Sequence, residues 1–258
     1  MNSGFYAATT GLMAKMQALD VAANNLANSG TTGFKAQKEF YSAMQAQLAS
    51  ATATLAGGAS RMSPATSAIN QAVNSFGVLG GAKTDFSAGS LEHTGNDLDL
   101  AIDGPGFITV AGPSGTAYTR NGSLTLGPNG ELLSSSGDAV LGKNGPIQLP
   151  QGQMSVGSDG SITVNGQDVD QIQIAEFDKS TPPLSLGGAM FIAAPGATAQ
   201  AASNSSVQQG FLEASNMNTI GGSVGLVSLQ RGAEMLEKAL TMFNTDFNKT
   251  VIEEVAKT

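Results

Sequence analysis

Apolar side chains recur every seven residues at both extremities of this 258-residue chain. Near the beginning, Phe5, Leu12, Leu19 and Leu26 share one heptad position, and Thr9, Met16 and Ala23 occupy the companion position. Near the end, Leu226, Ala233, Leu240 and Phe247 repeat the first position and Leu229, Leu236, Phe243 and Thr250 the second. So narrow a seam predicts a helix that needs a partner, because most helix stability in proteins comes from packing rather than from propensity. Each Leu or Phe buried there contributes about 1.5–3 kcal/mol. The two seams can pair with each other as a helical hairpin, and both can pack against other subunits. The expected subunit-interface set is therefore Phe5, Leu12, Met16, Leu19, Ala23, Leu26, Leu226, Leu229, Ala233, Leu236, Leu240, Phe243 and Phe247. The first helix is expected to stop near Asn28, with Ser29-Gly30 supplying a left-handed cap.

Between the seams the texture changes twice. Residues 42–82 are mostly Ala, Ser, Thr, Gly and Gln, with Phe76 as the only aromatic, and read as an extended linker or arm. From about Thr84, short apolar runs alternate with turn chemistry. Phe107–Val110, Leu124–Leu126, Ala139–Leu141, Ile147–Leu149, Ile162–Val164 and Ile172–Phe177 read as strands. Asn121-Gly122, Asn144-Gly145, Asp159-Gly160 and Asn165-Gly166 separate them, the spacing of an all-β sandwich or barrel built from hairpins. The expected fold class is α+β: a discontinuous helical domain with a coiled-coil-like pair from the two termini (1–35 and 212–258), an extended arm (36–82), and a hairpin-rich β domain (83–211).

Charge supports this division. Residues 82–211 hold Lys83, Arg120, Lys143 and Lys179 against twelve carboxylates, and so carry the whole net charge of −8. An acidic middle repels phosphate backbones and argues against a nucleic-acid partner. The chain has no Cys, which excludes disulfides, thiolate metal sites and cysteine nucleophiles. No run of 18 apolar residues is present, so no membrane insertion is expected, and Met1–Tyr6 lacks the basic and apolar regions of a cleaved signal peptide.

No catalytic constellation emerges. Gly137–Asn144 approaches a phosphate-binding loop, but Asn144 stands where Ser or Thr would ligate magnesium, and Gly145-Pro146 follows where a helix should begin. His93, the only histidine, has no nucleophile elbow in company. Asp97 and Asp99 alternate with Leu98, Leu100 and Ile102, which predicts that both carboxylates lie on the wet face of a strand. The expectation is a chain with no catalytic residues, cofactor, metal or small-molecule substrate.

Several motifs together resemble one family. Val21–Asn28, containing Asn24, Asn25 and Asn28, followed by Thr31-Thr32-Gly33-Phe34-Lys35, resembles the N-terminal signature of bacterial flagellar rod and hook proteins. Asp103-Gly104-Pro105-Gly106-Phe107 resembles that family's turn into its β domain, and Tyr118–Gly122 the hairpin that follows. Gln209–Asn216, ending in Ser215-Asn216, resembles the return to the closing helix, where Gln230, Arg231, Glu234 and Lys238 also match. Length and the stretch Gly145–Pro150 resemble most the proximal-rod member closest to the distal-rod protein. Gly232 and Ala233 depart from the pattern, the family often having an aromatic where Ala233 stands.

The resemblance implies an axial building block whose terminal helices line a tubular rod crossing the periplasm, with the β domain outside. It implies export by the flagellar type III apparatus without a cleaved signal, and partners that are copies of itself and other rod proteins. In that setting Asn24, Asn25 and Asn28 act as register marks or helix-end caps, and Gly33-Phe34 makes the exit turn with Phe34 anchoring the β domain. The alternatives are the distal-rod protein of the same family, or a secreted β-rich binding or adhesive module with helical oligomerisation arms.

Overall fold

The structure, a computed structural model, describes residues 2–43, 77–113 and 115–255. It divides into two compact units: residues 1–26, 37–83 and 219–258 form one, and residues 27–36 and 84–218 the other. Residues 27–35 and 212–218, expected with the helices, and Ala36, expected in the arm, belong to the β unit. The central part of the expected arm, 44–76, lies outside the described residues.

In the first unit, α1 spans Asn2–Ala27 and α2 spans Thr219–Val255. Ala at positions 7, 8, 14, 18, 22, 23 and 27 gives α1 high propensity, and neither helix contains Pro. Gly30 does not cap α1. The first glycine with positive φ after the helix is Gly33 (φ 68°), and the chain turns earlier through Thr31 N–H donating to Asn28 O at 3.1 Å. A Cβ built on Gly11 would sit 3.6 Å from Leu236 Cδ1, and one on Gly232 would sit 3.7 Å from Lys15 Cε. Four residues further along α1 thus meets four residues earlier along α2, which is an antiparallel approach. The side chains closed off are small: Ala14, Ala18 and Ala233 are buried. At Gly232, an anomaly in a helix interior, a Cβ would make only ordinary contact with the Lys15 stem, so this approach does not require glycine. The same unit contains β1 (Gln37–Ala43) and β2 (Gly77–Thr84), which pair as a two-stranded sheet. Both ends of the expected arm are therefore strands. Asn25 ties this ribbon to α1: its Nδ2 donates to Gln37 O at 2.7 Å and its Oδ1 accepts Gln37 N–H at 2.8 Å.

The second unit is β-rich. Its early strands are β3 (Leu91–His93), β4 (Leu100–Asp103), β5 (Phe107–Gly112), β6 (Gly115–Thr119), β7 (Thr125–Leu126), β8 (Leu132–Leu133), β9 (Ala139–Gly142) and β10 (Gly145–Pro146). There follow β11 (Met154–Val156), β12 (Ser161–Val164), β13 (Gln167–Gln171), β14 (Ile174–Glu176), β15 (Leu184–Gly187) and β16 (Met190–Ile192). The last are β17 (Gln200–Ala201), β18 (Ser206–Gln209) and β19 (Phe211–Glu213). One ten-stranded sheet runs β15-β16-β6-β5-β9-β8-β7, with β10, β14 and β17 off that path. β11-β12-β13 form a three-stranded sheet, and β4 pairs with β18 and β3 with β19. The Asn165-Gly166 signal holds: both residues have positive φ (53° and 79°) between the paired Val164 and Gln167, which matches the right-handed twist of the strands.

Leu100, Ile108, Val110, Leu124, Leu132, Val140, Ile147 and Ile162 lead the main core. A second cluster of Phe107, Tyr118 and Phe191, with Phe86 and Phe177 against it, packs edge to face, as between Tyr118 and Phe177 at 4.9 Å. The expectation for Asp99 fails. Leu100, Ala101 and Ile102 are all buried, so no face of this segment is wet. Asp99 is buried too, with Asn96 Nδ2 donating to its Oδ1 at 3.1 Å and Gly210 N–H to its carbonyl at 2.8 Å.

Candidate functional site

Three charged side chains from distant parts of the sequence meet inside the β unit. Gly33 begins the arrangement. Its positive φ suits glycine, and a Cβ there would overlap the Arg120 carbonyl, so only glycine brings this chain against the 120–121 backbone. Gly33 N–H donates to Glu213 O at 2.7 Å, and Phe34 and Lys35 follow into the interior. The Glu213 side chain, 1% exposed, then accepts from two cations: Lys35 Nζ to Oε1 at 2.6 Å and Arg120 Nη1 to Oε2 at 3.1 Å. Gly89 N–H adds a bond to Oε1 at 2.8 Å.

The cations have further acceptors. Lys35 donates to Ser87 O at 2.8 Å, and Arg120 donates to Ile102 O at 3.1 Å and to Gly104 O, its guanidinium lying 5.1 Å from the Phe107 ring centre. Arg120 Nε has no partner among the described residues. Burial lowers the Lys35 amine from its usual value, opposed by Glu213, and lowers Arg120 in the same way against the same opposition. One buried carboxylate between two buried cations is strongly coupled: loss of the anion leaves two charges without solvent or counterion.

Around this triad stand neutral clamps. Asn216 Oδ1 accepts Ala36 N–H at 2.8 Å, and its Nδ2 donates to Asp85 O at 2.7 Å. Gly104 (φ 124°) and Gly106 approach Ser205 too closely for a Cβ. Gly106 N–H donates to Ser205 Oγ at 2.8 Å, and Ser205 O–H donates to Glu176 Oε1 at 2.7 Å. The residues 33–36 and 213–216, from which the chain leads to its two helices, are thereby held side by side. What this arrangement does is mechanical: it fixes where the chain enters and leaves the β unit.

Of the motif residues, Gly33, Phe34, Gly104, Phe107 and Asn216 converge here, with Gly106 beside them. Thr31 instead donates to Asn28 Oδ1 at 3.3 Å in the turn after α1, and Ser215 Oγ accepts Met217 N–H at 3.2 Å. Asn25 closes the Gln37 clamp, while Asn24, Gln230 and Arg231 lie exposed on the helices. Lys35, Arg120 and Glu213 were not singled out as a set by sequence reasoning. The available signal was that they are charged residues inside motifs of a chain only 12% charged.

The helical candidates fall into three groups. Ala233 is buried; Leu12, Leu19, Leu26, Leu226, Leu229, Leu236 and Leu240 are half-buried. Met16 (54% exposed) and Ala23 are open, whereas Ala14 and Ala18, off the heptad, are closed. The side chains of Phe5, Phe243 and Phe247 lie outside those described. Beyond the seam, Met13, Ile220, Val224, Val227, Met235 and Met242 are also exposed. At 100° per residue, Val224, Met235 and Met242 lie on the side of α2 opposite Leu229, Leu236 and Leu240. Each helix therefore has one face engaged within the chain and further apolar surface left open.

His93 lies exposed on β3 with its ring 4.9 Å from that of Phe211, and Lys143 is exposed in the β9–β10 hairpin. Among the described residues no group of three or more His, Asp or Glu is placed to hold a metal, and no helix is long and apolar enough to cross a membrane.

Residues 5–35 match the family model of the flagella basal body rod protein, and residues 101–164 that of the flagellar hook protein FlgE/F/G D1 domain. Over its whole length the chain is 30% identical to the flagellar basal-body rod protein FlgF of Caulobacter vibrioides, covering 99% of that relative. It is 32% identical to FlgF of Mesorhizobium japonicum and 29% identical to the basal-body rod protein FlgG of Buchnera aphidicola, with 91% and 90% of this chain and 90% and 92% of those relatives covered. The matched segments include both the α1 exit turn and the segment that carries Arg120, and on this full-length likeness the chain belongs to the flagellar basal-body rod protein family.

Proposed function

We propose that this chain is a structural subunit of the proximal part of the bacterial flagellar rod, polymerising through its terminal helices into a tubular drive shaft that carries torque across the periplasm. The observation that carries this reading is the open apolar surface on both helices, Met13 and Met16 on α1 and Val224, Met235 and Met242 on α2, left over after the small-residue contact within the chain. Buried between subunits, each such side chain contributes about 1.5–3 kcal/mol, and repetition around a tube resists sliding. The Lys35–Glu213–Arg120 junction is the complementary part: it holds the two helix connections together at the β unit, so load on one is shared by the other. The partners are copies of this chain and other rod proteins, reached by type III export. The proximal position rests on the resemblance at Gly145–Pro150.

Met16→Glu combined with Met235→Glu tests the reading. Both side chains are mostly exposed (54% and 67%), so the free chain is expected to keep its urea midpoint. The variant is expected to be missing from purified hook–basal bodies and the cells to be non-motile. Normal incorporation would overturn the role given to these faces.

A further inference from the structure

Four Asn-Gly pairs lie in the β unit: Asn121-Gly122, Asn129-Gly130, Asn144-Gly145 and Asn165-Gly166. Such a pair can react with itself, because no side chain crowds the glycine nitrogen. That nitrogen attacks Cγ of the Asn, its proton leaves with the side-chain amide as ammonia, and a succinimide ring closes. Water then opens the ring to Asp or to isoaspartate, in which the backbone runs through the former side-chain carbon. The carboxamide must swing over the glycine nitrogen, so a hydrogen bond that holds it elsewhere slows the reaction.

Three of the four carboxamides are held. Asn121 Nδ2 donates to Ser135 Oγ at 2.9 Å and its Oδ1 accepts Ser123 N–H at 3.0 Å. Asn165 Oδ1 accepts Gln153 N–H at 3.1 Å and its Nδ2 donates to Gln151 O at 3.4 Å. Asn144 Nδ2 donates to Asp170 Oδ1 at 3.2 Å, and Lys143 N–H, donating to Gln171 O at 3.0 Å, ties down the same turn. Asn129 differs. It is exposed, and among the described residues its carboxamide has no hydrogen-bond partner.

We propose that Asn129 is a site of covalent self-modification, converted through the succinimide to Asp and isoaspartate ahead of the other three. The nucleophile is the Gly130 nitrogen, whose N–H donates to Gly127 O at 3.0 Å across the turn that Pro128 opens. Freeing it takes only local opening, since β7 beside the turn is two residues long and exposed. The two products differ in consequence. Gly127 N–H donates to Glu131 O at 2.8 Å and Leu149 N–H to Gly130 O at 2.7 Å, so these bonds fix the chain on both sides of the modified link. Isoaspartate lengthens the backbone between them by one carbon and disrupts that fit, whereas Asp keeps the backbone and adds an exposed negative charge. The inference does not depend on the rod reading.

Incubating the purified full-length chain in mildly alkaline buffer tests it. Peptide mapping follows the one-dalton mass gain at each Asn, and electron-transfer fragmentation separates Asp from isoaspartate. Asn129 is expected to convert about fivefold faster than Asn144, the equivalent of one net hydrogen bond, and faster still than Asn121 and Asn165. Asn129→Gln is expected to abolish the early acidic species seen on ion exchange. Asp170→Ala, which frees the Asn144 carboxamide, is expected to bring that site up to the rate of Asn129. In urea the four rates are expected to converge. Conversion of any held Asn as fast as Asn129 in the folded chain would overturn the proposal, and a lead for Asn129 that persists in urea would overturn its structural cause.

Discussion

Replacing Glu213 by Gln removes the only carboxylate among the described residues that touches both buried cations. The side chain is 1% exposed and holds Lys35 at 2.6 Å and Arg120 at 3.1 Å, so neither cation can turn to solvent without unpacking the β unit. Breaking a buried ion pair by removing one partner costs about 3–5 kcal/mol, and here two partners are stranded, which places the loss at about 4 kcal/mol or more. Against a typical domain stability of about 5–15 kcal/mol that is a large fraction. With a urea dependence of about 2 kcal/mol per M, the unfolding midpoint falls by about 2 M. Near-UV circular dichroism suits the measurement, because the chain has no Trp and Tyr118 lies against Phe177 in the aromatic cluster. The triple variant Lys35→Met, Glu213→Leu, Arg120→Met supplies the contrast: with no charge left to strand, it is expected to lose clearly less than Glu213→Gln. A midpoint for Glu213→Gln within about 0.5 M of wild type, equivalent to about 1 kcal/mol, would refute the coupling, as would a triple variant less stable than the single one.

Glycine positions separate steric need from tolerance. Gly122→Ala places a Cβ into the Leu100 carbonyl and is expected to unfold the β unit at 25 °C, while Gly225→Ala, in open space on α2, is expected to raise helix stability by about 1 kcal/mol in thermal melts. Asn25→Ala loses both bonds to Gln37 at a cost of about 1–3 kcal/mol, which hydrogen exchange at the Gln37 amide should report as lost protection. Glu176 contributes a pH dependence. Burial raises its pKa, but hydrogen bonds from Ser205, Asn204 and Ser203 outweigh that and hold it below the usual glutamate value. A depressed folded-state pKa stabilises the fold above the unfolded value and loses that contribution as pH falls through the folded one. Glu176→Gln is therefore expected to be less stable than wild type at pH 7, with the difference closing below pH 4 in acid titrations; a gap independent of pH would count against it.

Long periodic segments and turn chemistry were the legible parts. Two helices follow from heptads, and the β12–β13 hairpin follows from Asn165-Gly166, because those signals are local. At Asn144-Gly145 the same dipeptide misleads by one residue: Gly142 pairs with Gly145, and Lys143 and Asn144 make the turn. The alternation at Asp97–Ile102 holds for Asp97, which is exposed, and misleads from Asp99 on, because β18 and the 121–124 turn cover a segment that the pattern marks as half wet. Which face of α1 closes within the chain was hidden because Gly11, against Leu236, and the buried Ala14 and Ala18 mark it, while the eye follows leucine. The Lys35–Arg120–Glu213 set was hidden for another reason. Its members stand up to 178 positions apart, and no local pattern reports a pairing at that separation.

Peroxide oxidation of methionine, read residue by residue by mass spectrometry, tests the central claim most directly. Met13, Met16, Met235 and Met242 are exposed in the single chain, and Met154 in the β core is buried. The account predicts that in purified basal bodies the four helix methionines oxidise as slowly as Met154, while in the free chain they react fast. Equal rates in the free and assembled chain would contradict it.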